Sequence, residues 1–221
     1  MEKRCQAAAF FDVDKTLLPG TSTEMLFVHA LLHREIPGRF RIWPFIAEAL
    51  RLLPKGLTIA RKANKAYLAG STLEEVRRRG RFLFETKIEP RLGDRGRIWI
   101  EKERKRDRAI VLLTGMPEPL VEPFAQHFGA DFSVATPLEI TPDGRLTGRR
   151  AGPFPYGRTK LEIAQRLADE HGWRLPDCSA YGDHASDAAL LGAVGEAYAV
   201  DPDPRLLREA RQRGWTILQH E

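Results

Sequence analysis

The apolar run Ala7–Phe11 leads straight into two carboxylates, Asp12 and Asp14. An unbroken apolar run of this length reads as a strand buried on both faces, as in a parallel sheet covered by helices. Burying a strand is favourable, but placing two like charges at its end is not. Repulsion and desolvation both act against the pair. The sequence therefore needs a reason for the two carboxylates as well as a fold.

Strand-like and helix-like segments alternate along most of the chain. "AIVLLTG" (109–115) reads as a second buried strand that breaks at Gly115. Residues 117–130 follow with Leu120, Val121, Phe124 and Phe128 at helical spacing, closed by Gly129. "DFSVAT" predicts a third strand, and Asp143-Gly144 between alternating residues predicts a hairpin. "RTKLEIAQRLADEHG" predicts a helix ended by Gly172, and "CSAYGD", "EAYAVDPD" and "WTILQ" predict further strands. This order implies an α/β fold, a Rossmann-like doubly wound parallel sheet. Residues 22–89 carry no strand signal and break into segments bounded by Gly or Pro. They predict a helical bundle inserted between the first two strands. The expected domains are a core of residues 1–19 and 90–221 and an inserted helical cap of residues 20–89. Residues 97–108, "RIWIEKERKRDR", read as a helix whose charges form a solvated face.

Of the 221 residues, 43% are hydrophobic and 29% charged, which excludes a disordered chain. The net charge of +5 favours anionic partners. Two distant cysteines, Cys5 and Cys178, make neither a disulfide framework nor a zinc set, so a reducing cytoplasm is expected. The apolar run near the N-terminus is too short for a signal-peptide core, and no segment is long enough to span a membrane.

Taken alone, Asp12 and Asp14 leave a turn and a metal site open. An EF-hand fails, because Leu17 stands where the loop needs Gly and Thr23 where it needs Glu. A hard divalent ion such as Mg²⁺ would resolve the repulsion, and residues two apart on a strand face one side. Asp183, after another apolar strand, and Asp187, one helical turn later, supply further oxygens. Ligands in parallel sheets gather at the carboxyl ends of the strands. Thr114-Gly115 at a third strand end offers a hydroxyl and an amide for a phosphate oxygen, and Lys160 offers a positive charge. "GPFPYGRT" (152–159) only mimics a phosphate loop. Arg158 replaces the lysine, Pro153 and Pro155 lack N–H groups, and no strand is expected to lead into it.

These pieces, in this order, resemble the haloacid dehalogenase-like hydrolases: "DVDKT" (12–16), Thr114, Lys160 and "GDHASD" (182–187). The helical insertion and the β-hairpin flap resemble the phosphoserine-phosphatase-like branch. The resemblance implies that Asp12 is a nucleophile forming an aspartyl-phosphate and Asp14 the general acid and base. Asp12, the Asp14 backbone carbonyl and Asp183 would bind Mg²⁺, with Asp187 acting through water. Thr114, the Gly115 amide and Lys160 would bind the phosphoryl oxygens, and Thr16 would brace the loop. Two departures weigh against phosphoserine as the substrate. Glu24 sits late for the acidic substrate-binding residue of that branch, and "HAS" replaces the more usual "GAN". His184 is expected to start a helix rather than to act as a catalyst.

The insertion is basic, with Arg34, Arg39, Arg41, Arg51, Lys55, Arg61, Lys62, Lys65 and "RRRGR" (77–81). A solvated surface accounts for most of these charges, and bundle packing for Trp43, Phe45, Ile46 and Leu50. A peripheral contact with lipid headgroups is the alternative use of such a surface. The expected partner is a small anionic phosphorylated substrate, with no nucleic acid. Candidates are phosphoserine, histidinol phosphate and a lysophospholipid-type phosphate. A non-catalytic phosphate- or nucleic-acid-binding protein on the same fold is the rival reading. It would show salt-sensitive duplex binding and no phosphate release.

Overall fold

The computed structural model describes residues 5–36, 43, 46, 47, 50, 51, 54 and 65–220. Six parallel strands form one sheet in the order β3-β2-β1-β6-β7-β8. They are β1 (Ala7–Phe11), β2 (Arg108–Pro117), β3 (Phe132–Thr136), β6 (Ser179–Gly182), β7 (Glu196–Val200) and β8 (Thr216–Leu218). The predicted hairpin is β4 (Leu138–Ile140) paired antiparallel with β5 (Leu146–Arg150).

The central strands alternate strictly between two apolar layers. Ala9 and Phe11 of β1, with Ile110 and Leu112 of β2, face one layer. Ala8, Phe10, Val111 and Leu113 face the other. A period of two, apolar on both faces, is what a doubly covered sheet demands. Helices α2 (Leu73–Leu83), α3 (Asp94–Lys105) and α4 (Glu118–Phe128) cover the first layer together with α1 (Thr23–Leu32). Helices α5 (Arg158–His171), α6 (Ala188–Leu191) and α7 (Pro204–Arg213) cover the second.

The described part of the insertion shares the first layer. Phe27, Tyr67, Val76 and Leu83 lie in the same buried cluster as Phe11 and Phe124. Helix α2 starts with a reciprocal cap between Thr72 and Glu75. The hairpin docks on the segment before α2. Gly70 N–H donates to the Leu146 carbonyl and Leu146 N–H to the Ser71 carbonyl, both at 2.8 Å. Gly148 allows this approach: a Cβ there would lie 2.6 Å from the Ala66 Cα.

Several local expectations change. Strand β2 does not break at Gly115 but runs to Pro117, with a register slip between Leu113 and Pro117. Leu113 faces Val134 and Pro117 faces Thr136, so Thr114–Met116 form a bulge out of the ladder. A strand, β5, does precede residues 152–159, but it belongs to the antiparallel hairpin and not to the main sheet. Trp43, Ile46 and Leu50 do not pack inside a bundle: they are exposed, as is Arg51. Phe45, Arg39, Arg41, Lys55, Arg61 and Lys62 lie outside the described residues.

The charges of α3 are not all solvated. Glu103 is fully buried and accepts hydrogen bonds from Arg108 (2.8 Å) and the Tyr181 hydroxyl (2.6 Å). Arg108 also reaches Glu196, to which Arg106 and the Tyr198 hydroxyl donate. Tyr181 stacks between Tyr198 and Phe11, at centroid distances of 4.4 and 4.2 Å, along the sheet face. The Arg106 hydrogen bonds, opposed by partial burial and aided by Arg108, hold the Glu196 carboxyl below its ordinary 4.5. A carboxyl lowered on folding stabilises the fold above its unfolded value and loses that contribution as pH falls. Chemical denaturation from pH 6 down to 3 should therefore show stability declining below about pH 4.5, and less steeply in Glu196→Gln.

Candidate active site

The site lies at the carboxyl ends of β1, β2 and β6. Asp12 follows β1, and its N–H still donates to the Tyr181 carbonyl at 3.0 Å, which holds it between β1 and β6. The chain then turns sharply. The N–H groups of Thr16, Leu17 and Leu18 all point at the Val13 carbonyl, and Lys15 takes a left-handed backbone with φ 67°. The strand thus ends before Asp14, and the two carboxylates take different partners. Asp14 Oδ1 accepts hydrogen bonds from the Thr23 N–H (2.8 Å) and hydroxyl (2.7 Å). Ser22 caps α1, leaving Thr23 to hold Asp14.

Asp12 belongs to a second group. Lys160, buried in the first turn of α5, sits 2.9 Å from Asp12 Oδ1 and 2.6 Å from Asp187 Oδ1. Carboxylate oxygens of Asp12, Asp183 and Asp187 lie within 4.8 Å of one another. Asp187 closes on the end of β6 because residue 182 is glycine. A Cβ there would stand 2.7 Å from the Asp187 Cβ. His184 caps the short turn Ala185–Asp187, as expected for a helix-start residue, and its N–H donates to Asp187 Oδ2 at 3.2 Å. Its ring also approaches Asp203, whose N–H donates to the Asp183 carbonyl at 2.8 Å.

Electrostatics match the crowding. Burial, reinforced by Asp12 and Asp187, pushes Asp183 up to about 8. Burial also raises Asp12 against the pull of Lys160. Asp14 is pushed up to about 7 by burial, against the two Thr23 hydrogen bonds. Burial opposes the Lys160 charge, but Asp12 and Asp187 together hold its ammonium above the ordinary lysine value. Fully ionised, the three carboxylates against the Lys160 ammonium carry two excess negative charges, which is why burial and mutual repulsion raise Asp12 and Asp183. This excess and the all-oxygen donor set fit a hard divalent cation.

The β2 bulge puts Thr114 and Gly115 at the carboxyl end of the strand next to β1. Thr114 Oγ1 accepts from the Met116 N–H at 3.3 Å, which leaves its own proton to donate elsewhere. The Gly115 carbonyl accepts from the Thr136 hydroxyl (2.7 Å) and from Lys65 Nζ (3.2 Å). Thr16 is fully buried, but its hydroxyl has no hydrogen-bond partner among the described residues, so the loop is braced by backbone bonds.

A model of the haloacid dehalogenase-like hydrolases matches residues 9–192. The chain belongs to that family. Phosphoserine phosphatase SerB1 of Mycobacterium tuberculosis is 30% identical over 220 residues, 96% of this chain and 70% of that protein. A Bordetella pertussis protein of unknown function superposes with a TM-score of 0.80 at 24% identity, covering 97% of this chain and 98% of that one. A phospho-aspartyl intermediate analogue of phosphoserine phosphatase shares the fold with a TM-score of 0.65 at 19% identity, over 98% and 94% of the two chains. This hydrolase is therefore a phosphatase of the phosphoserine-phosphatase-like branch.

Four residues of the hydrolase's site carried no usable sequence signal. Thr23 is one hydroxyl residue in the run "TSTE", and Thr136 one in a predicted strand. Lys65 was one basic residue among many, assigned with the rest to a solvated surface. It is fully buried, because the docked hairpin and Glu24 close around it. Tyr67, buried beside it, reads only as core.

Proposed function

We propose that this phosphatase hydrolyses a small phosphomonoester in two steps through an aspartyl-phosphate. A side-chain oxygen of Asp12 attacks phosphorus, the bond to the ester oxygen breaks, and Asp14 gives its proton to the departing alcohol. Asp14 then takes a proton from the water that attacks the phosphoaspartate, and inorganic phosphate leaves with Asp12 restored. Thr114, the Gly115 amide and Lys160 hold the three peripheral phosphoryl oxygens.

One observation carries this reading. Lys160 ties Asp12 to Asp187, while Asp14 stands apart on Thr23. A nucleophile and a proton donor need that separation of surroundings. Asp12, Asp183 and the Asp14 backbone carbonyl would hold Mg²⁺, with Asp187 beside them. When bound, the ion supplies the positive charge that lets a carboxylate approach a phosphate dianion. Residues 20–89 serve as a cap that shields the site from water. Phosphoserine, histidinol phosphate and a lysophospholipid-type phosphate remain the substrates to compare. The exposed Trp43, Ile46 and Leu50 next to Arg51 support the third through a peripheral lipid contact.

Phosphate release from p-nitrophenyl phosphate tests the reading. EDTA treatment should abolish release, and Mg²⁺ should restore it. Release that ignores EDTA, or none with Mg²⁺ present, rejects the mechanism.

A further inference from the structure

Glu24 follows Thr23, the residue that holds Asp14. Its carboxylate is near enough for its charge to raise Asp14, the group that would protonate the leaving alcohol, and its side chain keeps 22% exposure. A carboxylate in that position would attract an ammonium on the leaving group. The chain fills the place with an ammonium of its own. Lys65 Nζ lies 2.6 Å from Glu24 Oε2, and the Tyr67 hydroxyl donates to Glu24 Oε1 at 2.5 Å. Lys65 also donates to the Gly115 carbonyl and lies 5.6 Å from the centroid of the Phe154 ring. Arg150 approaches the same ring, 5.2 Å from its centroid.

We infer that Lys65 determines leaving-group specificity: it excludes ammonium-bearing alcohols and assigns the site to phosphomonoesters of uncharged alcohols. The inference rests on the phosphatase reading of this same site. An incoming ammonium has two options, and both are unfavourable. It displaces Lys65 from Glu24, stranding a buried charge. Or it sits beside Lys65 and Arg150, with like charges in a desolvated pocket. An uncharged hydroxyl meets neither obstacle. Phosphoserine and histidinol phosphate both carry an ammonium on the carbon next to the ester-bearing one. The glycerol unit of a lysophospholipid-type phosphate does not.

Two probes isolate the effect: 2-hydroxyethyl phosphate and phosphoethanolamine, which differ only in hydroxyl against ammonium. The wild-type enzyme should favour the hydroxyl compound by about tenfold or more in kcat/KM. Lys65→Met frees Glu24 and should lower that ratio by about tenfold, through better use of phosphoethanolamine. Glu24→Gln keeps the shape of the Lys65 partner without its charge, so the ratio should rise. This second variant carries the test if Lys65→Met does not fold. Equal use of the two probes by the wild type, or a ratio unmoved by both variants, overturns the inference. Wild-type hydrolysis of p-nitrophenyl phosphate keeps the two failures apart. If it is absent, the phosphatase reading itself falls. If it is present with a ratio near one, only the specificity inference falls.

Discussion

Asp12→Asn should lower kcat for p-nitrophenyl phosphate by on the order of 10⁴-fold while leaving the fold intact. The amide keeps the size of the carboxylate but cannot attack phosphorus. Lys160 loses one partner and keeps Asp187 at 2.6 Å, so its charge stays matched. Relief of crowding with Asp187 and Asp183 offsets the lost ion pair, and the melting temperature should hold or rise. Acid quenching of the wild type during turnover should trap a hydroxylamine-labile phosphoenzyme, and Asp12→Asn should trap none. Undiminished activity in the variant would show that another group makes the first bond to phosphorus.

Glu103→Ala should do the reverse, harming stability and sparing chemistry. Glu103 lies at the amino ends of the strands, near the starts of β2 and β7, across the sheet from the site. Its removal leaves the Arg108 guanidinium and the Tyr181 hydroxyl without their buried acceptor. Breaking such a buried pair from one side destabilises by about 3–5 kcal/mol. Glu103→Gln also removes the charge but keeps one accepting oxygen for Arg108 or Tyr181, so it should lose somewhat less. Urea unfolding measures both, as a lower midpoint at an unchanged slope. The activity of the folded fraction should match the wild type. A midpoint unchanged in Glu103→Ala would mean that Arg108 finds full compensation in Glu196.

The two predictions rest on residues that differ in how far the sequence alone exposes them. Asp12 stands at the end of an apolar run, and Asp183 repeats the arrangement on β6. An acidic residue at the end of a buried strand is conspicuous against its own neighbours. Glu103 sits among the charges of "EKERKRDR", where nothing local separates it from residues that face water. Its burial follows from Arg108 and Tyr181, five and 78 positions away. Lys65 repeats the pattern in the insertion, with partners 41 and 50 positions away. The β2 bulge was hidden for a related reason. Gly115 marked a change in the strand, but whether the ladder stops or slips depends on the register with β3.

Among the described residues, the amino-acid sequence by itself determined the strands and helices of the core, their order along the chain and the acidic residues at the strand ends. Each of these follows from periodicity, turn residues or neighbouring polarity, which act over a few positions. Tertiary structure alone decided which charges are buried and with whom they pair: Lys65 with Glu24, Lys160 with Asp12 and Asp187, Glu103 with Arg108. A side chain loses its water only when distant segments close over it, and the chain's local pattern does not say which segments those will be.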